Sequence, residues 1–443
     1  MTPYLARSRV SKALTDADLA HSFAEAEARL DAVSPCVLID AAQALTAAGQ
    51  SAALTAVVTA VKCFGRVQLA GSGLDTSLLQ PLLAGGTLGA AARALGANVT
   101  ATIEPGCTHL IRIGATAIWR GWQTSLWWNR WLAGTRRFEE PLGSSALGLA
   151  GIFAGALAVR QIFAHLRGGT PARDETVSLW EPNLAASPDR IGPPSYTIPS
   201  RLWLIGLGHL GQACVWGLLT IPFTGDRYII LQDDQHVGVE NGPTSVLVGG
   251  DDLGRRKVRV AARWLDEAGW TTELIERRHQ GDIRLGDRDP AILIAGLDDV
   301  RPRQMLAAQG FDYMIDMGIG RGTRDFESLQ VRTLPKGARV DALWLAESTD
   351  STRERLQARE AYKNLEQEVG LCGTVPLADA SVAVPFVGAA TAALAVAQLA
   401  RLGAMAPAQA MLQLELGAPA LVIDGGTIEA PSSFLGGETF ELE

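Results

Sequence analysis

Short apolar runs alternate with longer apolar, Ala-rich stretches along most of the chain, the pattern expected where strands and core helices follow one another. In the N-terminal part the pattern predicts a polar helical stretch running to about residue 26, strands over 36–40, 66–70 and 109–114, and an apolar helix near 52–61. After residue 200 the signal is clearer. It predicts a strand over 201–205, an apolar helix to about 219, a strand over 228–231, a helix opening at 254–257, a strand over 291–295, a helix over 300–306 and a charged helix over 353–369. Two strand-like runs, 412–416 and 420–423, lie near the end. Alternation of this kind predicts an α/β protein.

Two stretches, 146–166 and 382–400, are long enough to cross a membrane. Both are built from Ala, Gly and Val, the first contains Arg160 and the second Pro385, so buried core helices and no membrane partner are expected. They also repeat one another: Ala156-Leu157-Ala158-Val159-Arg160-Gln161-Ile162 matches Ala393-Leu394-Ala395-Val396-Ala397-Gln398-Leu399 at an offset of 237, which also places Gly151 on Gly388. Between them, residues 167–200 hold six prolines among polar residues, the composition of an extended linker. The chain of 443 residues exceeds the ~250–300 at which one core stops growing. It divides as 1–166, a linker over 167–200, 201–403 and a tail over 404–443.

Composition narrows the function. Hydrophobic residues make up 47% and charged residues 19%, which excludes a disordered or coiled-coil protein. A net charge of -8 argues against a nucleic-acid-binding surface. The five cysteines (Cys36, Cys63, Cys107, Cys214, Cys372) form no C-x-x-C pair, and the first residues show no apolar segment of a secretory signal. A reduced, cytoplasmic protein without structural zinc is the expectation.

The strand at 201–205 runs directly into Gly206-Leu207-Gly208-His209-Leu210-Gly211 and an apolar helix. Glycines there permit a tight turn and close approach to a phosphate, and the helix N-terminus favours an anion. Asp233 ends the next strand, where a carboxylate can take ribose hydroxyls. A nicotinamide-dependent oxidoreductase fits these features as well as any ATP-binding protein.

The residues beyond Asp233 distinguish the two. Asn241 lies eight residues after Asp233, Asp252-Leu253-Gly254-Arg255-Arg256-Lys257 opens a helix, and Asp298 and Arg303 come after the strand over 291–295. With these intervals the segment resembles the adenylating domain of the ubiquitin-activating family, the ThiF-like adenylyltransferases. The resemblance extends strongly over 201–400 and weakly over 1–166. It implies two Rossmann-like doubly wound domains forming a pseudo-dimer, the first degenerate and the second binding ATP. It also implies that Gly206, Gly208, Gly211, Asp233, Asn241, Lys257 and Arg303 bind the nucleotide, that Asp298 holds Mg²⁺, and that Lys257 lies against the phosphates. Lys257 is one of only five lysines among 39 basic residues, which makes its position conspicuous. A solvated helix position for Lys257 and a helix N-cap for Asp298 are the plain alternatives.

The family carries an arginine three residues beyond the Asn, where this chain has Thr244. Arg255 and Arg256, or Arg7 and Arg9 from the other half, are candidates to replace it. Cys372, flanked by Gly370 and Gly373 in the segment before the last Ala-rich helix, falls where compact members of the family carry the thioester cysteine; a small buried core residue is the alternative. Cys214 is expected in the core. Gly85-Gly86-Thr87-Leu88-Gly89 follows no strand and is treated as a decoy, and the five tryptophans between Trp119 and Trp131 are expected to be buried rather than to bind a partner.

The resemblance therefore implies activation of the C-terminal tail of a ubiquitin-like protein with ATP and Mg²⁺, a thioester on Cys372 and transfer to a conjugating enzyme, in a compact enzyme of the bacterial type associated with antiviral defence. It leaves open whether the chain also forms a homodimer. Adenylation followed by transfer to sulfur or a small amine, without a protein thioester, remains the nearer alternative.

Overall fold

The computed structural model describes residues 7–79, 86–187, 189–320, 322–339, 344, 359–369, 377–378, 380–419 and 421–442. Two sheets organise it. The first contains β1 (Pro35–Ile39), β2 (Gln68–Gly71), β3 (Asn98–Thr100), β4 (His109–Ile113), β5 (Trp122–Asn129), β6 (Leu132–Arg136) and β7 (Glu175–Ser178), in the order β3-β2-β1-β4-β5-β6-β7. β8 (Ser195–Ile198) comes next in the chain. The second sheet contains β9 (Arg201–Ile205), β10 (Tyr228–Gln232), β11 (Thr271–Ile275), β12 (Ile292–Ala295), β13 (Tyr313–Ile319), β14 (Ser328–Pro335), β15 (Met411–Glu415) and β16 (Val422–Asp424), in the order β11-β10-β9-β12-β13-β14-β15-β16. β17 (Glu438–Glu441) pairs with β8 alone.

Strand for strand, the first seven positions of the two sheets follow the same order. In both, five parallel strands are followed by two antiparallel ones. Each sheet reverses its winding between its first and fourth strands in chain order, the place where α/β folds bind ligands at the carboxyl ends of the strands. This is a mixed α/β structure with parallel sheets.

The apolar stretches form the contact between the sheets. Helices Ala47–Phe64, Gly148–Gly168 and Pro385–Gly403 are each long and apolar enough to cross a membrane, and at least 83% of each such window is buried inside the protein. Glycine makes the close packing possible: a Cβ at Gly151 would lie 2.1 Å from the Ala48 carbonyl oxygen, and one at Gly155 would lie 2.6 Å from that of Ala52. Across the halves, Phe163 packs on Phe386 with ring centroids 5.5 Å apart, and Trp216 Nε1 donates to Thr55 Oγ1 at 2.9 Å.

Several expectations need amending. The proline-rich stretch over 167–200 is not wholly extended linker, because β7 completes the first sheet and β8 lies within it. Its Glu175-Thr176-Val177-Ser178 run pairs antiparallel with β6 and buries Val177 and Ser178. In the tail over 404–443 the two strand-like runs form β15 and β16, which extend the second sheet. The tryptophan cluster contains a β-hairpin, β5 to β6, turned at Arg130 with φ of 51°. Trp128 and Trp131 are fully buried, and Trp131 packs on Trp180 and Tyr196.

A carboxylate cluster ties the halves together. Arg160, in helix Gly148–Gly168, reaches Glu327 with Nε at 2.9 Å and Nη2 at 2.8 Å, and Glu175 lies 4.0 Å from its Nη1. Beside it, burial and then Glu327 push the Glu415 carboxyl up to about 7. A carboxyl raised in the folded state binds its proton more tightly there than in the unfolded chain, so this group's contribution falls as pH rises from about 4.5 through 7. Glu415→Gln is expected to melt higher than the unmodified chain at pH 8, with the two curves converging near pH 4.5. A constant offset across that range in thermal melts would exclude the assignment.

Candidate functional site

Where the second sheet reverses its winding, a cleft of about 550 Å³ opens, bounded by the turn after β9, the ends of β10 and β12 and the exposed face of β13–β15. Gly206, Gly208, Asp233, Asn241, Lys257, Asp298 and Arg303 all line it. Gly211 does not. Its α-carbon packs so closely on the turn that a Cβ would lie 1.9 Å from the Gly206 carbonyl oxygen, so Gly211 shapes the cradle from behind. Gly206, at φ of +85°, is needed for the turn itself. A Cβ at Gly208 would meet nothing within 4 Å, so the space above it is cleft.

The carboxylate of Asp233 fastens this turn: Oδ2 accepts from the Leu207 N–H at 2.6 Å and Oδ1 from the Gln235 N–H at 2.7 Å. A carboxylate has about four acceptor positions, so capacity for hydroxyl donors remains. Lys257, buried at the first turn of helix Lys257–Glu267, donates from Nζ to Gln235 Oε1 at 2.7 Å. It is therefore not a solvated helix residue. Upstream, Asp252 accepts from both Arg263 Nη1 and Nη2, at 2.8 and 3.0 Å, and from the Gly249 N–H. Burial acts to raise its pKa, but these hydrogen bonds prevail and hold it below the usual carboxylate range.

Asp298 is exposed to the cleft. The N-cap position of helix Val300–Ala307 belongs to Asp299, whose side chain makes no capping hydrogen bond and instead lies 3.6 Å from Arg278. Arg303 has a supporting role. Its Nε donates to the Leu297 carbonyl at 2.8 Å, its Nη2 donates to the same oxygen, and its Nη1 reaches Asp316 Oδ2 at 3.3 Å, fixing the turn that carries Asp298. Asn241 is likewise occupied, accepting at Oδ1 from the Gly238 N–H at 2.8 Å. Thr244 donates to the Glu240 carbonyl.

Of the four arginines that could stand in for the one missing at Thr244, Arg9 is the one that lines the cleft. Arg7 is held by Glu27 and Asp31, Arg255 by Asp251 and Asp252, and Arg256 by Asp234 and Glu276. Arg9 arrives from the other half of the chain, with Nε donating to the Ser381 carbonyl at 3.1 Å. The first half also braces the Asn241 loop, through Lys62 Nζ donating to the Gly242 and Val248 carbonyls at 2.6 and 2.9 Å. Burial lowers the Lys62 pKa to about 8, against the pull of Asp252.

Several cleft residues escaped the sequence reading. His209 sits inside the glycine turn with both ring nitrogens buried, and burial, then Arg9, push its pKa down to about 3. Behind the cleft wall, buried Asp316 holds three groups that do line it, Arg303, Arg332 and the Trp344 indole, and burial raises its pKa against the pull of both arginines. The signal was present: Asp316 is a lone acid within an otherwise apolar strand, and Arg332 is its cross-strand partner. Cys372 lies outside the described residues. Cys214 is in the core as expected, its thiol pushed up to about 12 by burial.

Among the described residues, the first sheet's own switch point is crowded by side chains. Asp40 follows β1 and accepts from the Gln43 N–H, and a Cβ at Gly114 after β4 would lie 2.6 Å from Gln43 Cγ and 2.8 Å from Asp40 Oδ2. Side chains fill the crevice.

Fold and site together define an α/β protein with a charged cleft at the switch point of one of two similarly wound sheets. The chain belongs to the BilD family: residues 36–179 match the BilD N-terminal domain and residues 198–405 the BilD C-terminal domain. It is 32% identical over 373 residues to the bacterial E1-like protein BilD of Collimonas sp. (strain OK412), covering 80% of this chain and 79% of the relative. Among solved structures it resembles the crystal structure of E. coli MccB, at 14% identity and a TM-score of 0.34 over 55% of this chain and 66% of that one. The crystal structure of E. coli MccB with ATP matches at 13% identity and a TM-score of 0.36, over 53% of this chain and 65% of that one.

Proposed function

We propose that this protein is an ATP-dependent activating enzyme for a small ubiquitin-like protein. It adenylates the partner's C-terminal carboxylate, receives the acyl group as a thioester on Cys372 and passes it to a conjugating enzyme. The observation that supports the reading is that Lys257, Asp298 and the glycine turn line one cleft together with Arg9, which comes from the far end of the chain. Hydride transfer gives Lys257 and Asp298 no task. Membership in the BilD family, whose curated relative is described as E1-like, supports the same reading.

In the adenylation step a carboxylate oxygen attacks the α-phosphorus of ATP. A P–O bond to the carboxylate forms, the P–O bond to the β-phosphate breaks, and pyrophosphate leaves with the electron pair. Two anions must meet, so Arg9 and Lys257 are placed to offset charge as it develops. Asp233 takes the ribose hydroxyls, and the open space above Gly208 admits the phosphates. Asp298 and the cleft fit Mg²⁺, which needs one or two carboxylates beside phosphate oxygens; when bound, the ion neutralises phosphate charge. In the second step the thiolate of Cys372 attacks the acyl carbon. A C–S bond forms, the C–O bond to AMP breaks, AMP leaves with the electron pair, and the thiol proton passes to solvent. Burial raises the thiols of Cys36, Cys63 and Cys214, making them poor nucleophiles at neutral pH.

The two sheets of like order then correspond to a pseudo-dimer whose first half has lost its crevice and serves the second through Arg9 and Lys62. This fits a cytoplasmic enzyme of a bacterial conjugation system whose partners are proteins rather than nucleic acids or membranes.

ATP–pyrophosphate exchange that requires the ubiquitin-like partner tests the first step; exchange indifferent to the partner contradicts it, as does a thermal shift with NAD but not with ATP and Mg²⁺. For the second step, a reducible adduct with the partner is expected to vanish in Cys372→Ala while exchange persists. An adduct that survives places the acceptor thiol elsewhere.

A further inference from the structure

A buried ionic cluster links the beginning of the chain to the helix that precedes Cys372. Lys12 and Asp16, on and just after helix Ser8–Thr15, pair at 2.9 Å and are 1% and 3% exposed. Both meet Tyr362, 0% exposed, in helix Glu360–Val369. Lys12 Nζ donates to the Tyr362 hydroxyl at 2.5 Å, and that hydroxyl donates to Asp16 Oδ1 at 2.7 Å. Burial, then Asp16, push the phenol pKa up, so it stays a donor.

The chain is fastened to this N-terminal segment on both sides of residues 370–376. Before them, Arg359 pairs with Asp18 at 2.6 Å, Tyr362 meets the Phe23 ring edge-on at 5.5 Å, and Asn364 donates to the His21 carbonyl. After them, Leu377 and Ala378 share one apolar cluster with Phe23, Tyr362 and Leu365, and the Ala383 N–H donates to the Arg9 carbonyl. Helix Ser8–Thr15 thus presents Arg9 to the cleft and Lys12, three residues on, to Tyr362.

A buried ion pair is weak evidence for stability, since apolar replacements often do as well; its best-attested use is to fix one register. Apolar contacts alone would tolerate sliding of helix Glu360–Val369, whereas three mutually satisfied polar groups permit one placement. We propose that Lys12, Asp16 and Tyr362 are positioning residues for the thioester step, registering the Cys372-bearing segment to the same helix that brings Arg9 to the cleft. The inference rests on the reading of Cys372 as the acceptor. The three residues take no part in bond making: they set where the segment starts and ends, and so how often the thiolate meets the acyl-adenylate.

The test uses the full chain with the ubiquitin-like partner, ATP and Mg²⁺. Tyr362→Phe keeps the ring against Phe23 and removes only the hydroxyl. Pyrophosphate exchange is expected within about twofold of the unmodified chain, while single-turnover formation of the reducible adduct slows about tenfold, the scale of one buried hydrogen-bond donor to a charged group. The double variant Lys12→Met, Asp16→Leu removes both charges of the pair and should show the same split. Amide hydrogen exchange should quicken in helix Glu360–Val369 and not in helix His209–Leu218. A normal adduct rate, exchange and adduct formation slowed alike, or unchanged amide exchange in helix Glu360–Val369 each overturns the inference. Absence of any adduct from the unmodified chain overturns the reading of Cys372 first, and this inference with it.

Discussion

Lys257→Ala and Asp298→Ala are each expected to lose partner-dependent pyrophosphate exchange by about two to three orders of magnitude, the range seen when one preorganised charge-stabilising group is removed. Their structural settings differ, which makes the pair informative. Lys257 is buried and donates to Gln235 at 2.7 Å, so its loss strands an amide acceptor and should lower stability by about 1–2 kcal/mol. Asp298 is exposed at the cleft mouth, and its loss should leave stability unchanged within about 0.5 kcal/mol. Loss of exchange without loss of stability in Asp298→Ala separates a chemical role from a structural one. Near-normal exchange in either variant at saturating ATP would remove that residue from the site.

The second large effect concerns stability. Arg160→Ala takes one cation from among three carboxylates, Glu175, Glu327 and Glu415. Arg160 and its direct partners are about nine-tenths buried, so solvent cannot replace it, and leaving buried charge unpaired costs about 3–5 kcal/mol. Glu415 and Glu175, whose pKa values burial raises, can escape by taking protons, so the deficit should be largest at pH 8 and shrink toward pH 5. Urea melts at the two pH values measure this. A deficit independent of pH would mean that lost packing against Gly417, rather than lost charge, is responsible.

Part of this site was legible along the chain because it is local. The glycine turn, Asp233, Asn241, Lys257 and Asp298 lie within one run of alternating strands and helices, where spacing fixes which residues reach the carboxyl ends of the strands. Arg9 was one of four candidates, because which of them enters the cleft depends on how helix Ser8–Thr15 packs against residues 381–383, a contact between distant segments. The pairing of Asp316 with Arg332 required the antiparallel register of β13 and β14, which no two-residue hairpin signal sets, since the first ends at Ile319 and the second begins at Ser328. In the first half the tryptophan-rich β5 to β6 hairpin was hidden because aromatic residues fall on both faces, blurring the alternation of a strand. β7 was masked by the prolines around it, which mark the ends of the extended segment rather than its absence.

The filled crevice of the first sheet bears on stoichiometry. The strand order occurs twice in each chain, yet among the described residues Asp40 and Gln43 occupy one switch point and leave the other open. A ligand of this crevice therefore binds once per 443 residues. On the proposed function, each chain carries at most one adenylate at a time.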